Sequence, residues 1–560
     1  MINSLKSILN LVSTCFIGIY CLLLSSSVQA ESFQVEQLPF SFTGEWQVCV
    51  QAENKAQLNC TTNQVPSNIE TSFADFDGFI HYRAQFTILK SLSDQALGIY
   101  IKNLRDSDEV YINGTMIAKT GEFKPDFEKA TLYSRYYFVP NNLLKTNTTN
   151  TIEIKVFNHA RYGGMVTQAP LLDTAESTAY NLMKKNGSIM LYMGIFFIIF
   201  VMQIFYYFAQ KTHKEHLYFA LFSICTVIHL YTFSNYPIAA GSDLNFIFKL
   251  NIFLYATLTI LFCLFINKFF HHSLNLLLKI TIGVLAVSAI VQAFFLPLDL
   301  VYYQVMLINL ISLFVLAPFY VWLFYRSIQQ KIPYAKTMAF VSLLHISAAL
   351  VDILTDMQVL PPFFSGVAGL ITPITLMILF ITISLILTHR HWLYYRHATY
   401  DYLTDALRRS AFMERLSEEI PRSQRLKQPL MVALLDIDNF KQINDKHSHI
   451  AGDEVLVEVV KRVRSQLREF DLLARYGGDE FCIAASVSDT SDAMSLLKRV
   501  KQSIDQEPIH ISSEQKVMAS ITIGAYVADP NSDFHPEMLI SEADKILIEG
   551  KVNQKGKIHI

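Results

Sequence analysis

Arg475-Tyr476-Gly477-Gly478-Asp479-Glu480-Phe481-Cys482-Ile483 reads as two strand-like arms about a glycine pair, and the C-terminal third of the chain is read outward from it. Glycine accepts positive φ in a tight hairpin turn, and without a side chain it lets a ligand lie against the backbone. The turn presents two carboxylates, Asp479 and Glu480. Upstream, the apolar run Leu430-Met431-Val432-Ala433-Leu434-Leu435 ends at Asp436-Ile437-Asp438, which puts acidic groups at the C-terminal end of a strand, where α/β sheets bind ligands. An Asp-x-Asp alone is a common loop feature. Here it is followed by Asn439-Phe440-Lys441-Gln442-Ile443-Asn444-Asp445, which adds an ammonium and an amide close by. Asp436, Asp479 and Glu480 brought to one point would repel one another unless a cation lay between them, so the set points to Mg²⁺ or Mn²⁺, hard ions that prefer oxygen. Such an ion neutralises a triphosphate and activates an oxygen nucleophile.

The rest of the chain is of a different character. It has 560 residues, 52% hydrophobic and only 17% charged, which is too long for one core and too apolar for a purely soluble protein. A net charge of -2 gives no basic surface that would argue for nucleic acid. Lys6, an apolar stretch over 8–24 and small residues at Val28 and Ala30 have the build of a secretory signal over 1–30. Apolar runs near 189–209, 217–236, 247–267, 279–297, 301–324, 337–355 and 364–387 are each about long enough to cross a bilayer, and define a membrane domain over 187–388. Lys211 and Lys214, Lys268, then Arg326, Lys331 and Lys336, and finally Arg390 and Arg396 fall on alternate sides. That placement predicts an outside N-terminus and an inside C-terminus; Lys184 and Lys185 run against it. His389 to Tyr400 holds no Gly or Pro and is expected to continue the last span as a helical linker.

Between signal and spans, 31–183 alternates in period two, as in Phe79-Ile80-His81-Tyr82-Arg83-Ala84-Gln85-Phe86, and predicts an all-β sandwich. Cys49 and Cys60 lie in this outer segment, where an oxidising compartment permits a disulfide; two small buried side chains are the alternative. Trp46 is expected in the core. Gly78 to Phe86, Asp108 to Gly114 and Asn150 to Asn158 resemble the galactose-binding-like jelly roll, a family that binds carbohydrate or other small ligands and also serves as scaffolding. An outer β domain, seven spans and a signalling domain together resemble the bacterial seven-transmembrane receptors with diverse intracellular signalling modules. Within the sixth span, His345 and Asp352 lie at helical separation and are functional candidates because burying them is costly, with a satisfied interhelical hydrogen bond the preferred reading.

From Asp401 onward the chain resembles the GGDEF diguanylate cyclase family, with Gly477 to Phe481 unaltered and Asp401-Tyr402-Leu403-Thr404 opening the domain as the family's Asp-x-Leu-Thr does. The resemblance implies a nucleotidyl-cyclase-like α/β domain over 401–560 that condenses two GTP into cyclic-di-GMP as a homodimer at the inner membrane. Asp436, the Ile437 carbonyl and Asp479 would hold metal. Glu480 or Asp479 would help deprotonate the ribose 3′-hydroxyl. Lys441, the backbone at Asn439 and Phe440, and Gly477 and Gly478 would cradle phosphates and nucleotide, with Lys441 counted in the catalytic set. Asn444 and Asp453 would read guanine with His449 close by. Lys551 and Lys555, four apart on the last helix, would reach the triphosphate. Arg468-Glu469-Phe470-Asp471 matches the family's inhibitory site for its product, with Arg499 a candidate second arginine. The chain departs from the pattern at Asp405-Ala406 for Gly-Leu, Arg408 for Asn, Ser448 for Gly, Ile548 and Gly550 for Tyr and Ala, and Gln554-Lys555-Gly556 for Gly-Arg-Asn. The competing reading is a catalytically silent GGDEF receptor that binds cyclic-di-GMP. A transporter finds no support in broken helices or charge chains.

Overall fold

The computed structural model describes residues 32–52, 58–67, 69, 76, 78–102, 104–159, 164–165, 168–298, 300–356, 363–511 and 515–560. The expected signal segment over 1–30 lies outside them. The chain forms two compact units, 1–387 and 388–560.

In the first unit an N-terminal β domain precedes the membrane helices. One sheet runs in the order Asn59–Val65, Gly44–Ala52, Gly78–Ile88, Asn150–Asn158, Ser107–Ile112, Thr115–Thr120, with Phe33–Val35 parallel to Gly78–Ile88. A second, smaller sheet orders Arg135–Val139, Leu97–Ile101, Leu171–Thr174 and Phe40–Ser41. The period-two pattern does what it predicts. Ile80, Tyr82, Ile152 and Ile154 of the large sheet and Ile99, Ile101 and Leu172 of the small one face each other in one core, while intervening residues face out. Trp46 is fully buried there and donates its indole N–H to the Phe42 carbonyl at 2.8 Å. Cys49 and Cys60 are directly opposed across antiparallel strands and form a disulfide.

Among the described residues, seven helices are long and apolar enough to cross a membrane: Ala175–Ala209, Lys214–Phe233, Leu244–Phe269, Leu276–Phe294, Tyr303–Gln329, Ala335–Asp352 and Ile371–Thr399. The fifth contains a π-helical turn at Ser312–Leu316, and the seventh belongs to one continuous helix, Phe363–Thr399. Polar side chains join the helices at several points. His216 Nδ1 lies 2.7 Å from Gln203 Oε1, whose amide donates to Ser384 Oγ at 3.3 Å. His345 Nδ1 lies 3.2 Å from Thr375 Oγ1, a hydrogen bond between helices as read from the sequence.

The second unit is built on a six-stranded sheet ordered Leu407–Arg408, Leu472–Arg475, Glu480–Ser486, Leu430–Ile437, Ile521–Ala528, Ile558–His559. Leu430–Ile437 is the central strand, and alternate residues serve opposite cores. Met431, Ala433 and Leu435 meet Val455, Val459, Leu497 and Val500 of helices His449–Gln466 and Thr490–Asp505. Val432 and Leu434 meet Phe412, Leu416, Leu539 and Leu547 of helices Arg409–Leu426 and Pro536–Asn553. A strand covered on both faces reads as a continuous apolar run, which is why 430–435 shows no alternation.

Candidate active site

The central pairings are antiparallel, so the end of one strand lies beside the start of the next. Asp436 is directly across from Glu480 on one side and Thr522 on the other. The hairpin turn is fastened at three points. Tyr476 N–H and Gly477 N–H both donate to the Glu480 carbonyl, at 2.8 and 3.2 Å. Ile437 N–H donates to the Asp479 carbonyl at 3.3 Å, tying the turn to the strand that carries Asp436. Arg475 donates from Nε and Nη2 to the Gly478 carbonyl at 3.1 and 2.8 Å, and from Nη1 to Asp401 Oδ1 at 3.1 Å. Asp401 in turn accepts from the Thr404 amide at 3.0 Å and hydroxyl at 2.7 Å. The opening Asp-x-Leu-Thr turn therefore supports the glycine turn through one guanidinium.

The glycine pair works differently from the expectation. Neither Gly477 nor Gly478 has a positive φ. A Cβ on Gly477 would come 2.6 Å from Glu480 Oε2, so the Glu480 carboxylate, which folds over the turn, would have to swing aside to admit a side chain there. A Cβ on Gly478 would meet nothing within 4 Å, leaving an open face over the turn.

Burial pushes the Asp436 carboxyl above its ordinary range, with Lys551 opposing and Asp479 and Asp438 adding to the rise. Glu480 is raised by burial and then by Asp436, again against Lys551. These carboxylates thus sit in one another's field. Lys551 Nζ makes an ion pair with Asp436 Oδ2 at 2.7 Å. Asp438 is engaged elsewhere, its Oδ1 accepting from the Thr522 hydroxyl at 2.6 Å. Among the described residues no three His, Cys, Asp or Glu side chains stand close enough to hold a metal ion. The donor set of carboxylates and the Ile437 carbonyl is nevertheless all hard oxygen, and Asp436 already holds a cation, so a divalent ion fits the chemistry of the position.

Asn439 adopts a left-handed conformation, φ 56°, and starts helix Phe440–His447, whose N-terminal amides open beside the sheet end; Lys441 on its first turn is exposed. Asn444 is half-buried, and its side chain packs against Gly452 in the next helix, where a Cβ would fall 1.9 Å from Asn444 Oδ1. His449 and Asp453 are exposed on that helix. Lys555 departs from expectation. The last helix ends at Asn553 with Gln554 as its cap, so Lys555 lies beyond it and does not share a helical face with Lys551.

Elsewhere on the domain a cavity of about 250 Å³ is lined by Arg468, Phe470, Asp471, Arg422 and Glu419, among others. Asp471 Oδ2 accepts from the Arg468 amide at 2.8 Å, while Oδ1 is buried with no hydrogen-bond partner. Burial raises its pKa. Arg499 is exposed on its own helix and does not line this cavity. The second guanidinium comes instead from Arg422, held 3.2 Å from Glu419. Sequence reading missed Arg422, since only the packing of helix Arg409–Leu426 on the sheet brings it there; its Glu-x-x-Arg spacing was the only signal.

The family model for the diguanylate cyclase GGDEF domain matches residues 398–557, and the model for 7TM diverse intracellular signalling matches 186–390. Diguanylate cyclase TpbB of Pseudomonas aeruginosa is 38% identical over 160 residues, 28% of this chain and 36% of that protein. Cyclic di-GMP phosphodiesterase NbdA of the same species is 36% identical over 166 residues, 30% of this chain and 21% of that protein. Among solved structures, the GGDEF domain of TpbB, also called YfiN, matches with 36% identity and TM-score 0.27, covering 28% of this chain and 96% of that one. The chain thus spans only about a third or less of the length of these two curated relatives. Residues 398–557 thus match the GGDEF domain model and residues 186–390 the 7TM diverse intracellular signalling model, and with seven candidate spans among the described residues the chain is a multi-pass membrane protein.

Proposed function

We propose that this chain is a membrane-bound diguanylate cyclase that condenses two GTP into cyclic-di-GMP and two pyrophosphates, with the β domain outside the inner membrane and the GGDEF domain in the cytoplasm. The observation that carries the reading is the juxtaposition of Asp436 and Glu480 across neighbouring strands, with Asp479 in the turn pinned to Ile437. A divalent cation bound there would supply charge for the phosphates. The chain's own residues do the rest. The amides that begin helix Phe440–His447 and the Lys441 ammonium hold phosphate oxygens. Asn444 and Asp453 match the acceptor and donor edge of guanine, a pattern adenine does not present. Glu480 or Asp479 takes the proton of the ribose 3′-hydroxyl as its oxygen bonds to the α-phosphorus of the other GTP and the bond to pyrophosphate breaks. Each site holds one GTP, so two catalytic domains must face each other in a homodimer. The cavity at Arg468 and Asp471 takes the product and restrains synthesis, its guanidinium pairing with phosphate or a guanine edge.

The test is to incubate the purified full chain in lipid nanodiscs with GTP and Mg²⁺ and measure cyclic-di-GMP. Asp479→Ala should abolish the product, and undiminished turnover would refute the site. A second reading, a silent receptor for cyclic-di-GMP, is favoured by the separate Arg468–Asp471 cavity and by the likeness to a protein named as a phosphodiesterase. It requires product binding without synthesis in the same preparation. The ligand of the outer β domain would be a small molecule, carbohydrate among the candidates.

A further inference from the structure

Lys551 was expected to reach a triphosphate, yet its ammonium is committed to Asp436 Oδ2 at 2.7 Å, with side chains 30% and 15% exposed. Its backbone has little freedom to move. A Cβ on Gly524 would lie 2.3 Å from the Leu547 amide nitrogen, and one on Gly550 2.3 Å from the His559 ring. Glycine at 524 lets helix Pro536–Asn553 lie directly on strand Ile521–Ala528, the neighbour of the Asp436 strand, and glycine at 550 admits the His559 ring of the edge strand Ile558–His559. Any change of partner by Lys551 is therefore a swing of its flexible four-carbon stem about a fixed root.

The charges around it oppose a simple addition. Asp436 is faced by Asp479, Asp438 and Glu480 as well as by Lys551. A divalent cation entering alone would meet an ammonium already bonded to its first ligand. A triphosphate entering alone would meet a cluster of carboxylates. Entering together, the cation takes the carboxylates and the phosphates take the ammonium, so every charge keeps an opposite neighbour.

We propose that Lys551 and the divalent cation are alternative partners of the Asp436 carboxylate, and that Lys551 passes from Asp436 to the nucleotide's phosphates as the cation binds, so that metal and nucleotide load as one coupled event. This rests on the nucleotide site proposed above. Coupling of this kind is reciprocal: each ligand raises the affinity of the other by the same factor.

The experiment titrates the full-length protein in nanodiscs with Mn²⁺, reading free Mn²⁺ by electron paramagnetic resonance, with and without a non-hydrolysable GTP analogue and corrected for Mn²⁺ held by free nucleotide. Lys551→Met keeps the stem and removes the charge. It should bind Mn²⁺ alone roughly tenfold more tightly than the unmodified protein, and the gain that the analogue confers should shrink by about the same factor, within the usual range for coupled sites. Lys551→Arg retains the charge and should behave as the unmodified protein, which separates the exchange from damage to the helix. Asp436→Asn should lose the Mn²⁺ site in either background. If Lys551→Met binds Mn²⁺ alone no more tightly while the analogue still promotes Mn²⁺ binding, the exchange is refuted and the nucleotide site stands. If no protein binds Mn²⁺ even with the analogue, both fall together.

Discussion

Gly452→Ala separates nucleotide recognition from folding. Gly452 is buried in helix His449–Gln466, and an added Cβ would come 1.9 Å from Asn444 Oδ1 and 3.2 Å from Phe440 Cζ. Backbone movement cannot relieve the clash cheaply, because Gly452 N–H donates to Ser448 O at 3.1 Å and Ser448 N–H to Asn444 O at 2.9 Å. The Asn444 amide must rotate away. For the fold, alanine gains about 1 kcal/mol of helix propensity over glycine, against an overpacking cost of about 1–3 kcal/mol beside Phe440; the domain should lose at most about 2 kcal/mol. For the proposed guanine contact, two hydrogen bonds of about 1 kcal/mol each are lost, which corresponds to about 30-fold in affinity. Steady-state kinetics of the full chain should therefore show a KM for GTP raised about 30-fold, kcat changed little, and a thermal midpoint within a few degrees of the unmodified protein. An unchanged KM in a folded protein would show that Asn444 does not read the base.

Two further outcomes follow from contacts outside the nucleotide pocket. Burial works to raise the Asp401 carboxyl, but bonds from Thr404 and Arg475 outweigh it and hold it below the usual carboxylate range. Its contribution is thus present above the unfolded value of about 3.9 and is lost as pH falls through the lower folded one. Asp401→Asn should flatten that acid limb in thermal melts and, by freeing Arg475 from its support, lower kcat more than GTP affinity. The Cys49–Cys60 bridge closes a short loop, sequence separation 11, so replacing both cysteines by alanine should cost the β domain about 3 kcal/mol, read as earlier proteolysis of the N-terminal half on heating.

Most of the architecture is legible because its signals are local. Membrane spans announce themselves by length, the N-terminal strands by alternation, as in Gly78–Ile88 with its inward Ile80, Tyr82 and Ala84, and the hairpin by one contiguous signature. Contacts that close over long separations are not legible. Asn245 joins helix Leu244–Phe269 to the β domain by donating to Phe127 O at 2.6 Å and accepting from Lys129 N–H at 2.9 Å, and Asn235 donates to Ser134 O at 3.0 Å. Nothing in those asparagines marks them in the sequence, since a loop asparagine is ordinarily solvated. Arg422, Thr522 and the Lys551–Asp436 pair escape for the same reason. Gly477 is different in kind: its φ is not positive, and the atom nearest an added Cβ is a Glu480 carboxylate oxygen at 2.6 Å, a contact that no local signal announces.

The departures from the family pattern have a physical reading that bears on competence. Asp405, standing for glycine, takes φ 57°, a conformation aspartate tolerates, and its carboxylate meets Arg396 of the preceding helix at 3.2 Å. Ser448, also standing for glycine, is forced to φ 100°, a strain of about 1–3 kcal/mol. Its hydroxyl accepts from the Ala451 amide at 3.4 Å, a long capping bond that recovers part of that cost. Both substitutions therefore draw on stability at the borders of helices. Neither touches the strand pairing that sets Asp436 against Glu480, nor the Arg475 clamp that holds the turn, because those are fixed by backbone register and a guanidinium rather than by the lost glycines. These two departures fall on the frame around the carboxylates and leave the pairing of Asp436 with Glu480 in place.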